Sequence, residues 1–404
     1  MPQWNWHHPK WPDFRFAKGS LAQAEQLFAE GCGQLVTTLE RTGPDESERI
    51  MVERVVDEAM TTSTIEGEVL DRASVQSSVR RALSFGVPDR SASLAERGIA
   101  ELLIDVCRSF PMLLEATTLH RWHTMVMLGR TDLADVGRWR TRAEPVQVVS
   151  GRLDRPTVHF EAPPSKRVPA EMQRFLAWFN EPAKATGRAR LGPLARAGMA
   201  HLWFESIHPY SDGNGRIGRA IAEKALAQSM AHPSLTALSP VILARRSDYY
   251  RALAAASTTL DIDAWQRWFA GAVLQAQARS LAEIEFITAK ARLLASIGVQ
   301  LNVRQEKALL RMMSEGSQGF EGGMTASKYV AITRASPATA TRDLGGLAEA
   351  GALIPHGARR HMRYELALPT RTVPTFEVRE DGSVHTTPLT AARSPRRGSR
   401  GRRG

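Results

Sequence analysis

The chain has 404 residues, 43% hydrophobic and 24% charged, a composition typical of globular proteins with a substantial core. This length predicts two or three domains. Only two cysteines are present, which excludes a disulfide framework and a cysteine-based metal site and favours a reducing, cytoplasmic compartment. No apolar run approaches the roughly eighteen residues of a membrane span, and the polar, tryptophan-rich N-terminus does not resemble a signal peptide.

The formal net charge is +11 at pH 7, and it is unevenly distributed. Six of the last twelve residues are arginine and none is acidic, so about half of the excess lies in the C-terminal tail. A basic balance of this kind indicates nucleic acid as a partner. It describes the tail, however, and not the body of the protein.

Residues 1–16 are dense in aromatic side chains. Two alternating pairs flank a proline-containing turn, which is typical of extended chain on either side of a turn. We therefore predict an extended aromatic arm docked on the body, in preference to a cage for a ligand. A helix over 21–41 is predicted to follow. The aromatic residues of the arm are Trp4, Trp6, Trp11, Phe14 and Phe16.

The stretch from Ser47 to Leu70 begins with apolar residues at helical spacing and ends unusually. Residues 61–67 read Thr-Thr-Ser-Thr-Ile-Glu-Gly, which places four hydroxyl side chains and an acid at the end of the helix. Threonine is a mediocre helix former, and an acid at a helix C-terminus opposes the helix dipole. Taken alone, these residues indicate a plain helix end with a solvated Glu66.

Residues 71–145 are predicted to be mostly helical. His120 and His123 lie three apart in this region, as a metal-binding pair would, but no third type of ligand is nearby. Structural histidines are therefore the preferred interpretation. Two β-prone runs, 146–149 and 157–160, then flank a polar turn and predict a hairpin.

Two further predicted helices, 168–180 and 193–207, lead into the most informative stretch of the chain. Residues 208–219 read His-Pro-Tyr-Ser-Asp-Gly-Asn-Gly-Arg-Ile-Gly-Arg. Alanine, glutamate, lysine and glutamine among periodic apolar residues predict a helix from Ile217 to Met230. The glycines therefore lie at a helix N-terminus, where free N–H groups and the helix dipole attract anions.

Four side chains in this stretch suit a nucleotide phosphate. Arg216 and Arg219 share one helix face and can hold one polyphosphate together. Asp212 can hold Mg²⁺, which binds few carboxylates and shares phosphate oxygens. His208 is the only nearby side chain whose ordinary pKa suits accepting a proton near neutral pH. Together these residues indicate attack of a hydroxyl on a nucleotide phosphate.

Two other interpretations of the same residues are disfavoured. Gly213, Gly215 and Gly218 also form the dinucleotide-binding pattern G-x-G-x-x-G. That pattern requires a β-strand directly before its first glycine and alternating strands and helices around it, and neither is predicted here. A glycine-rich helix cap beside a buried histidine explains neither the two arginines nor Asp212.

The stretch resembles the signature of Fic-domain proteins, His-Pro-x-x-Asp-Gly-Asn-Gly-Arg-x-x-Arg, and meets every fixed position, with Tyr210 where phenylalanine is usual. The resemblance implies a mainly α-helical, Fic-type bundle that transfers AMP from ATP to a Ser, Thr or Tyr hydroxyl of a target protein, releasing pyrophosphate. It implies that His208 deprotonates the hydroxyl and that Asp212 holds Mg²⁺ or Mn²⁺. The family's phosphorylating branch has lysine where Gly215 stands, so this chain looks like the AMP-transferring type. By the same resemblance, Gly213, Asn214 and Gly215 form the anion hole, and Arg216 and Arg219 bind the β- and γ-phosphates.

Earlier stretches also resemble parts of this family. The helix predicted at about 47–69 resembles the inhibitory helix with its motif Ser/Thr-x-x-x-Glu-Gly/Asn, and Thr62 and Glu66 match. This implies that Glu66 pairs with Arg219 and occupies the space of the ATP γ-phosphate. The hairpin at about 146–162 resembles a flap on which a target segment docks as an extra strand. The aromatic arm resembles a segment of unknown function found in some Fic proteins.

Two features beyond the signature remain open to interpretation, a pair of tyrosines and a C-terminal segment. Tyr249 and Tyr250 would suit an adenine, but adjacent aromatics on a helix more often pack into a core. Asn302 to Leu366 resembles a winged helix-turn-helix, in which Ser336 caps a helix that begins with Pro337. Such modules bind DNA or simply contact proteins, and the sequence leaves both open. In the DNA-binding case, Thr339, Thr341 and Arg342 would face a major groove and Arg359 and Arg360 a phosphate backbone.

Four regions are predicted: an arm and helix at 1–44, a Fic domain at 45–295, a winged helix-turn-helix at 296–368 and a basic, disordered tail at 369–404 with a short hairpin around Asp381. Two rival functions stay open. The same site would also serve AMP removal or transfer of another phosphate-linked group, or the core would only sense nucleotide for a DNA-binding regulator. No membrane partner is predicted, and a homodimer is left open.

Overall fold

The computed structural model describes residues 4–84, 92–152, 155–181, 191–233, 236–297, 301–315, 320–358, 361–368 and 373–388. In these ranges the chain is mainly α-helical, as predicted, and its short strands form three separate antiparallel hairpins. No helix in this part of the chain is both long and apolar enough to cross a bilayer.

The helices are α1 (Ala22–Glu40), α2 (Pro44–Ile65), α3 (Arg72–Ala82), α4 (Leu94–Ser109), α5 (Ala116–Val126), α6 (Val168–Phe179), α7 (Pro193–Ile207), α8 (Asn214–Met230), α9 (Ser239–Ala244), α10 (Arg246–Ala256), α11 (Asp263–Ile297), α12 (Val303–Met313), α13 (Ala326–Thr333) and α14 (Pro337–Glu349). Short 3-10 helices cover Asn5–His7, Lys18–Leu21 and Ser165–Arg167. The strands are β1 (Gln147–Arg152), β2 (Arg155–Glu161), β3 (Leu353–His356), β4 (Arg363–Leu366), β5 (Thr375–Val378) and β6 (Val384–Thr387).

Helices α7 and α8 lie at the centre of the main hydrophobic core. Helix α7 begins at Pro193, a residue suited to the first helical turn, and is buried on almost every side. It therefore lacks the polar face of a surface helix. Because a helix and not a strand precedes Gly213, the dinucleotide-binding pattern is excluded here. The two buried helices fix both ends of the turn at residues 208–213.

Helix α2 ends at the stretch that was predicted, by resemblance, to inhibit the site. It begins at Pro44, carries two acids in its first turn, which favours the helix dipole, and ends at Ile65. Gly67 follows with φ +86°, a left-handed conformation that glycine adopts without strain and that commonly ends helices. This turn directs residues 66–68 towards the N-terminus of α8.

The aromatic arm docks on the body, but the prediction that it is extended was wrong for its first half. Asn5–His7 is a 3-10 helix and turns follow it, so the alternation of Trp4 and Trp6 does not reflect a strand. The arm is extended further along, where Arg15 pairs with Asp261. Its tryptophans enter the main core because large aromatic surfaces gain most from burial.

A second cluster of core residues lies in the C-terminal part, where α12, α13 and α14 pack with the β3–β4 hairpin. The Ser336 side chain accepts a hydrogen bond from the Thr339 N–H, which confirms the predicted cap of α14. This order of elements is the one expected of a winged helix-turn-helix, an assignment that stays a prediction. Arg359 and Arg360, predicted to contact phosphates, lie outside the described residues.

Two of the predicted regions are not separate from the main body of the protein. Helix α11 contributes to both core clusters, so the predicted boundary at 295–296 falls inside one helix. In the tail, the hairpin around Asp381 is present as β5–β6, and Val378 is buried in the main core. Residues 373–388 are therefore part of the packed structure, contrary to the prediction of a disordered tail.

Trp11→Ala should lower the free energy of unfolding by about 3–5 kcal/mol, because it removes a buried indole from the core. The ring is 7% exposed, contacts Trp203 edge to face, and its Nε1 donates to Glu171 Oε2 at 2.9 Å. The shift in the urea or thermal unfolding midpoint measures the effect. Lys10→Ala, at an exposed neighbour, is the control. Equal midpoints for the two variants would contradict the packing of the arm.

Candidate active site

The geometry of His208 is set by its backbone. The residue has φ +50° at the end of α7, a left-handed conformation that is uncommon outside glycine. Its N–H donates to the Phe204 carbonyl at 2.9 Å, and its own carbonyl accepts from Arg140 Nε at 2.8 Å. The Arg140 N–H also donates to the Pro209 carbonyl at 3.0 Å. Arg140 therefore positions the turn that carries His208.

Arg140 was not among the residues predicted from sequence. Its side chain is 2% exposed, whereas arginine is rarely buried, and burial lowers its pKa to about 10. It also donates to the Pro163 carbonyl, which links the signature turn to the segment that follows β2. Its only sequence signal was its place just before the predicted hairpin.

The environment of His208 keeps its imidazole neutral. Burial, helped by the positive charge of Arg140, lowers the pKa of His208 to about 4, although the Glu205 backbone, Glu66 and Asp212 oppose the shift. At pH 7 the ring is therefore free to accept a proton. Its Nδ1 lies 3.7 Å from Glu205 Oε2. Burial and the nearby Glu66 raise the pKa of Glu205 to about 8, so this carboxyl is largely protonated at neutral pH.

Asn214 holds the shape of the turn through its side chain. Its Oδ1 accepts from the Tyr210 N–H at 3.0 Å, and its Nδ2 donates to the Tyr210 carbonyl at 2.8 Å. The amide is therefore committed to the backbone of the turn. Any contribution of Asn214 to an anion hole comes from its backbone N–H at the start of α8.

Tyr210 explains the two histidines noted in the sequence. Its hydroxyl lies 3.2 Å from His120 Nδ1, and its ring stacks on His123 at 4.0 Å between centroids. His123 Nδ1 accepts from the Gly137 N–H at 2.9 Å. Both histidines thus contact Tyr210 and support the turn that carries it, consistent with a structural role. The hydroxyl that distinguishes tyrosine from the usual phenylalanine has a partner.

The N-terminus of α8 has no side-chain cap. Gly213 has φ +81°, which suits glycine, and the first N–H groups of a helix have no partner within the helix. The Glu66 carboxylate lies over this end: a Cβ added at Gly215 would be 2.2 Å from Glu66 Oε1. A carboxylate of the protein itself therefore lies against the first turn of this helix, close to where a helix N-terminus attracts an anion.

Arg219 and the inhibitory motif predicted from sequence are in direct contact. Arg219 Nη2 donates to Glu66 Oε1 at 2.7 Å and to the Thr62 carbonyl at 3.0 Å, and its Nε donates to Thr62 Oγ1 at 2.8 Å. Burial alone would lower the pKa of Arg219, but the charge and hydrogen bond of Glu66, together with the nearby Tyr249 and Glu205, outweigh it and the pKa is raised. The guanidinium, 1% exposed, is held by the two residues that the motif singled out.

Arg216 is bound by a carboxylate that sequence reasoning missed. Its Nη1 donates to Glu68 Oε1 at 2.7 Å, two residues beyond Glu66. The side chain of Arg216 is 3% exposed and that of Glu68 is 32% exposed. The acid itself was visible in the sequence, but it lies outside the motif and no local pattern related it to an arginine 148 positions away.

Asp212 lies at the more open edge of the site. Its Oδ1 accepts from the Gly213 N–H at 2.6 Å, and its Oδ2 accepts from Arg130 Nη1 at 2.8 Å. Among the described residues no group of three or more His, Cys, Asp or Glu side chains suits a metal ion. A lone carboxylate still fits Mg²⁺ or Mn²⁺, since Mg²⁺ takes one or two carboxylates and completes its shell with phosphate oxygens and waters. Arg130 would have to release Oδ2.

The hairpin predicted to act as a flap is present as β1–β2, and the aromatic arm holds its base. Phe160 packs edge to face on Trp4 at 5.5 Å, and its ring lies 6.5 Å from that of His208. Trp6 Nε1 donates to the Glu161 carbonyl at 2.7 Å. The end of the hairpin thus lies beside the histidine, and its base is fixed by residues from the start of the chain.

The two tyrosines left open by the sequence differ in position. Tyr249 is buried, and its hydroxyl lies 2.9 Å from His201 Nε2, so it is a core residue. Tyr250 is exposed at the surface of α10, with the Arg246 guanidinium 5.6 Å from its ring centroid.

Comparison with known proteins agrees with this geometry. Residues 113–226 match the Fic/DOC family, and residues 4–85 match a domain of unknown function, DUF4172. The chain contains a Fic/DOC-family domain. The match runs from just before α5 into α8 and includes the entire signature.

Individual relatives are distant. A segment of 129 residues is 30% identical to protein adenylyltransferase fic-1 of Caenorhabditis elegans, covering 31% of this chain and 21% of that protein. This chain thus spans about a fifth of that relative's length. A Fic family protein from Desulfovibrio desulfuricans G20 shares the fold, with a TM-score of 0.51 at 21% identity over 88% of this chain and 98% of that chain. A Fic-1 fragment from C. elegans superposes less well, with a TM-score of 0.46 at 20% identity over 64% and 72% of the two chains.

The two matched regions divide the site between them. His208, Asp212 and the two arginines come from the Fic domain, whereas the carboxylates that bind those arginines come from the DUF4172 region. The site is therefore assembled from both regions.

The ring of His208 should remain neutral down to about pH 5. Burial penalises the imidazolium, so the pKa falls and protonation requires a lower pH than the ordinary 6.5. Ring signals of ¹³C-labelled histidine, assigned with a His208→Ala spectrum, report the midpoint directly. A midpoint near 6.5 would contradict the buried geometry.

Proposed function

We propose that this protein is a protein adenylyltransferase that moves AMP from ATP to a Ser, Thr or Tyr hydroxyl of a target protein, and that Glu66 inhibits it. One observation carries the proposal: a neutral histidine, a helix N-terminus and two buried arginines converge on one site, and a carboxylate of the protein lies beside the helix end and pairs with Arg219. This arrangement suits a polyphosphate beside a base.

In the proposed reaction His208 takes the proton of the target hydroxyl. Its Nδ1 faces Glu205, so Nε2 is the nitrogen left to accept that proton. The hydroxyl oxygen bonds to the α-phosphorus of ATP, the bond from that phosphorus to the bridging oxygen of the β-phosphate breaks, and pyrophosphate leaves. The N–H groups at the start of α8 stabilise negative charge on the α-phosphate, and Arg216 and Arg219 bind the β- and γ-phosphates. Mg²⁺ or Mn²⁺ held by Asp212 would add neutralising charge on the phosphates.

The target is proposed to dock on the flap as an added strand. Main-chain hydrogen bonds to a hairpin edge would fix the hydroxyl near His208 with little demand on the target's sequence. Support comes from the position of the hairpin base, since Phe160 lies beside His208.

Inhibition follows from the ion pair between Glu66 and Arg219. A charge-assisted hydrogen bond contributes about 1.5–3 kcal/mol, equivalent to roughly 10- to 150-fold in affinity for a competing phosphate. Inhibition of this size would keep AMP transfer low, yet it is weak enough to be relieved.

Glu66→Gly should therefore raise AMP transfer by roughly 10- to 150-fold, and His208→Ala in the same background should abolish it. Incorporation of label from α-labelled ATP with Mg²⁺, into the protein itself or into lysate proteins, measures both. Glu101→Gln, an exposed acid on α4, is the control and should behave like the parent.

The results of this labelling experiment distinguish the proposed function from the alternative functions. Equal labelling of parent and Glu66→Gly would contradict inhibition. No label in any variant would favour AMP removal, another phosphate-group transfer or a nucleotide-sensing regulator. Retention of His208 argues against the regulator, because binding alone does not require a base.

We also propose that the segment that resembles a winged helix-turn-helix, Asn302 to Leu366, binds DNA. Supporting this, α14 exposes Thr341 and Arg342 on its outer side, and Thr339 is half-buried near its start. Behind them Asp343 is buried, accepting from Tyr329 Oη at 2.9 Å and from Arg304 Nε at 2.9 Å, which fixes the orientation of the helix.

Arg342→Ala should weaken DNA binding by the full chain and reduce the slope of log affinity against log salt by about one, since it removes one phosphate or base contact. Mobility shifts on a duplex at several salt concentrations measure this. Arg138→Ala, an exposed arginine of the Fic domain, is the control. An unchanged affinity and slope in Arg342→Ala would refute a role for α14.

A further inference from the structure

Glu68 is fixed in front of Arg216 by its backbone. Its N–H donates to the Ser63 carbonyl at 3.0 Å, across the left-handed turn at Gly67. This turn lets Glu66 and Glu68 reach two different arginines of α8 from one short segment. Each of the two arginines predicted to bind phosphates is thus bound to its own carboxylate.

Arg216 retains capacity for an anion while it is bound to Glu68. Its buried Nε has no hydrogen-bond partner among the residues that the structure describes. Its Nη2 is 3.9 Å from Asp212 Oδ1, beyond hydrogen-bonding distance. Glu68 therefore satisfies Arg216 only in part, as expected of a substitute for a ligand with more oxygens.

We propose that Glu68 is a second inhibitory residue that determines which nucleotides the site accepts. The proposal rests on the proposed function, in which Arg216 binds the β-phosphate and Arg219 the γ-phosphate. ATP must displace both Glu66 and Glu68, ADP must displace Glu68, and AMP need displace neither from its arginine. Inhibition then consists of two separable ion pairs, each opposed to a different phosphate.

The two pairs are almost equally exposed to solvent. The side chains of Arg219 and Glu66 are 1% and 30% exposed, and those of Arg216 and Glu68 are 3% and 32% exposed. Because solvent weakens an ion pair whose carboxylate is exposed to this extent, we expect Glu68 to lower nucleotide affinity by about five- to tenfold.

Calorimetric titration of ATP, ADP and AMP with Mg²⁺ into the full chain tests this directly. Glu68→Gln should tighten ATP and ADP binding by about five- to tenfold and leave AMP binding unchanged. Glu66→Gln should tighten ATP and have little effect on ADP. Glu68→Ala serves as a second variant without any acceptor, and Glu101→Gln as an exposed control.

A double-mutant cycle that combines Glu68→Gln with Arg216→Ala supplies the decisive comparison. In that background Glu68→Gln should have no effect on ADP, because the arginine it opposes is gone. The inference is overturned if Glu68→Gln and Glu68→Ala leave ADP binding unchanged, if they tighten AMP equally, or if the effect persists without Arg216. A parent that binds ATP while Glu68 variants change nothing overturns this inference alone. Absence of ATP binding in every variant overturns the proposed function as well.

Discussion

Two buried arginines at the start of α8 demand negative charge beside them. Arg216 and Arg219 are almost fully enclosed, and the positive end of the helix dipole adds to their charge. Leaving such cations unpaired away from water would be strongly unfavourable. In the structure the protein supplies the charge itself, through Glu66 and Glu68. In the proposed function, the same physical requirement would attract a polyphosphate to this helix end, and Glu66 and Glu68 would compete with it.

The surrounding structure holds this charged helix end against the histidine. Helix α7 carries His208 on its last turn, Arg140 fixes the backbone there, and Asn214 ties the turn to α8. The aromatic arm supports the same region from outside, since Asn5 donates to Ser206 Oγ at 2.9 Å. His208 and its turn thus lie between two buried helices, and the ion pairs from the end of α2 are made to the two arginines proposed to bind a ligand.

The origin of the two halves of the site gives the N-terminal region a role. The Fic domain supplies the arginines and the histidine, and the DUF4172 region supplies the opposing carboxylates and the support of the flap. In the proposed function, the base and the carboxylates that inhibit the site therefore come from separate segments of one chain.

Local patterns determined much of this protein. Helical periodicity and proline positions located α6 and α7 to within one residue and predicted the helix that follows the turn at residues 208–213. These predictions were confirmed because they depend on residues a few positions apart. Thr62 and Glu66 were singled out only by their resemblance to a family motif. The structure places both in contact with Arg219, and their inhibitory role stays a prediction. Arg140, Glu205 and Glu68 could not be found in this way. Their roles arise from contacts between distant segments, and only the tertiary packing of α2, α7 and α8 decides which buried charge faces which partner.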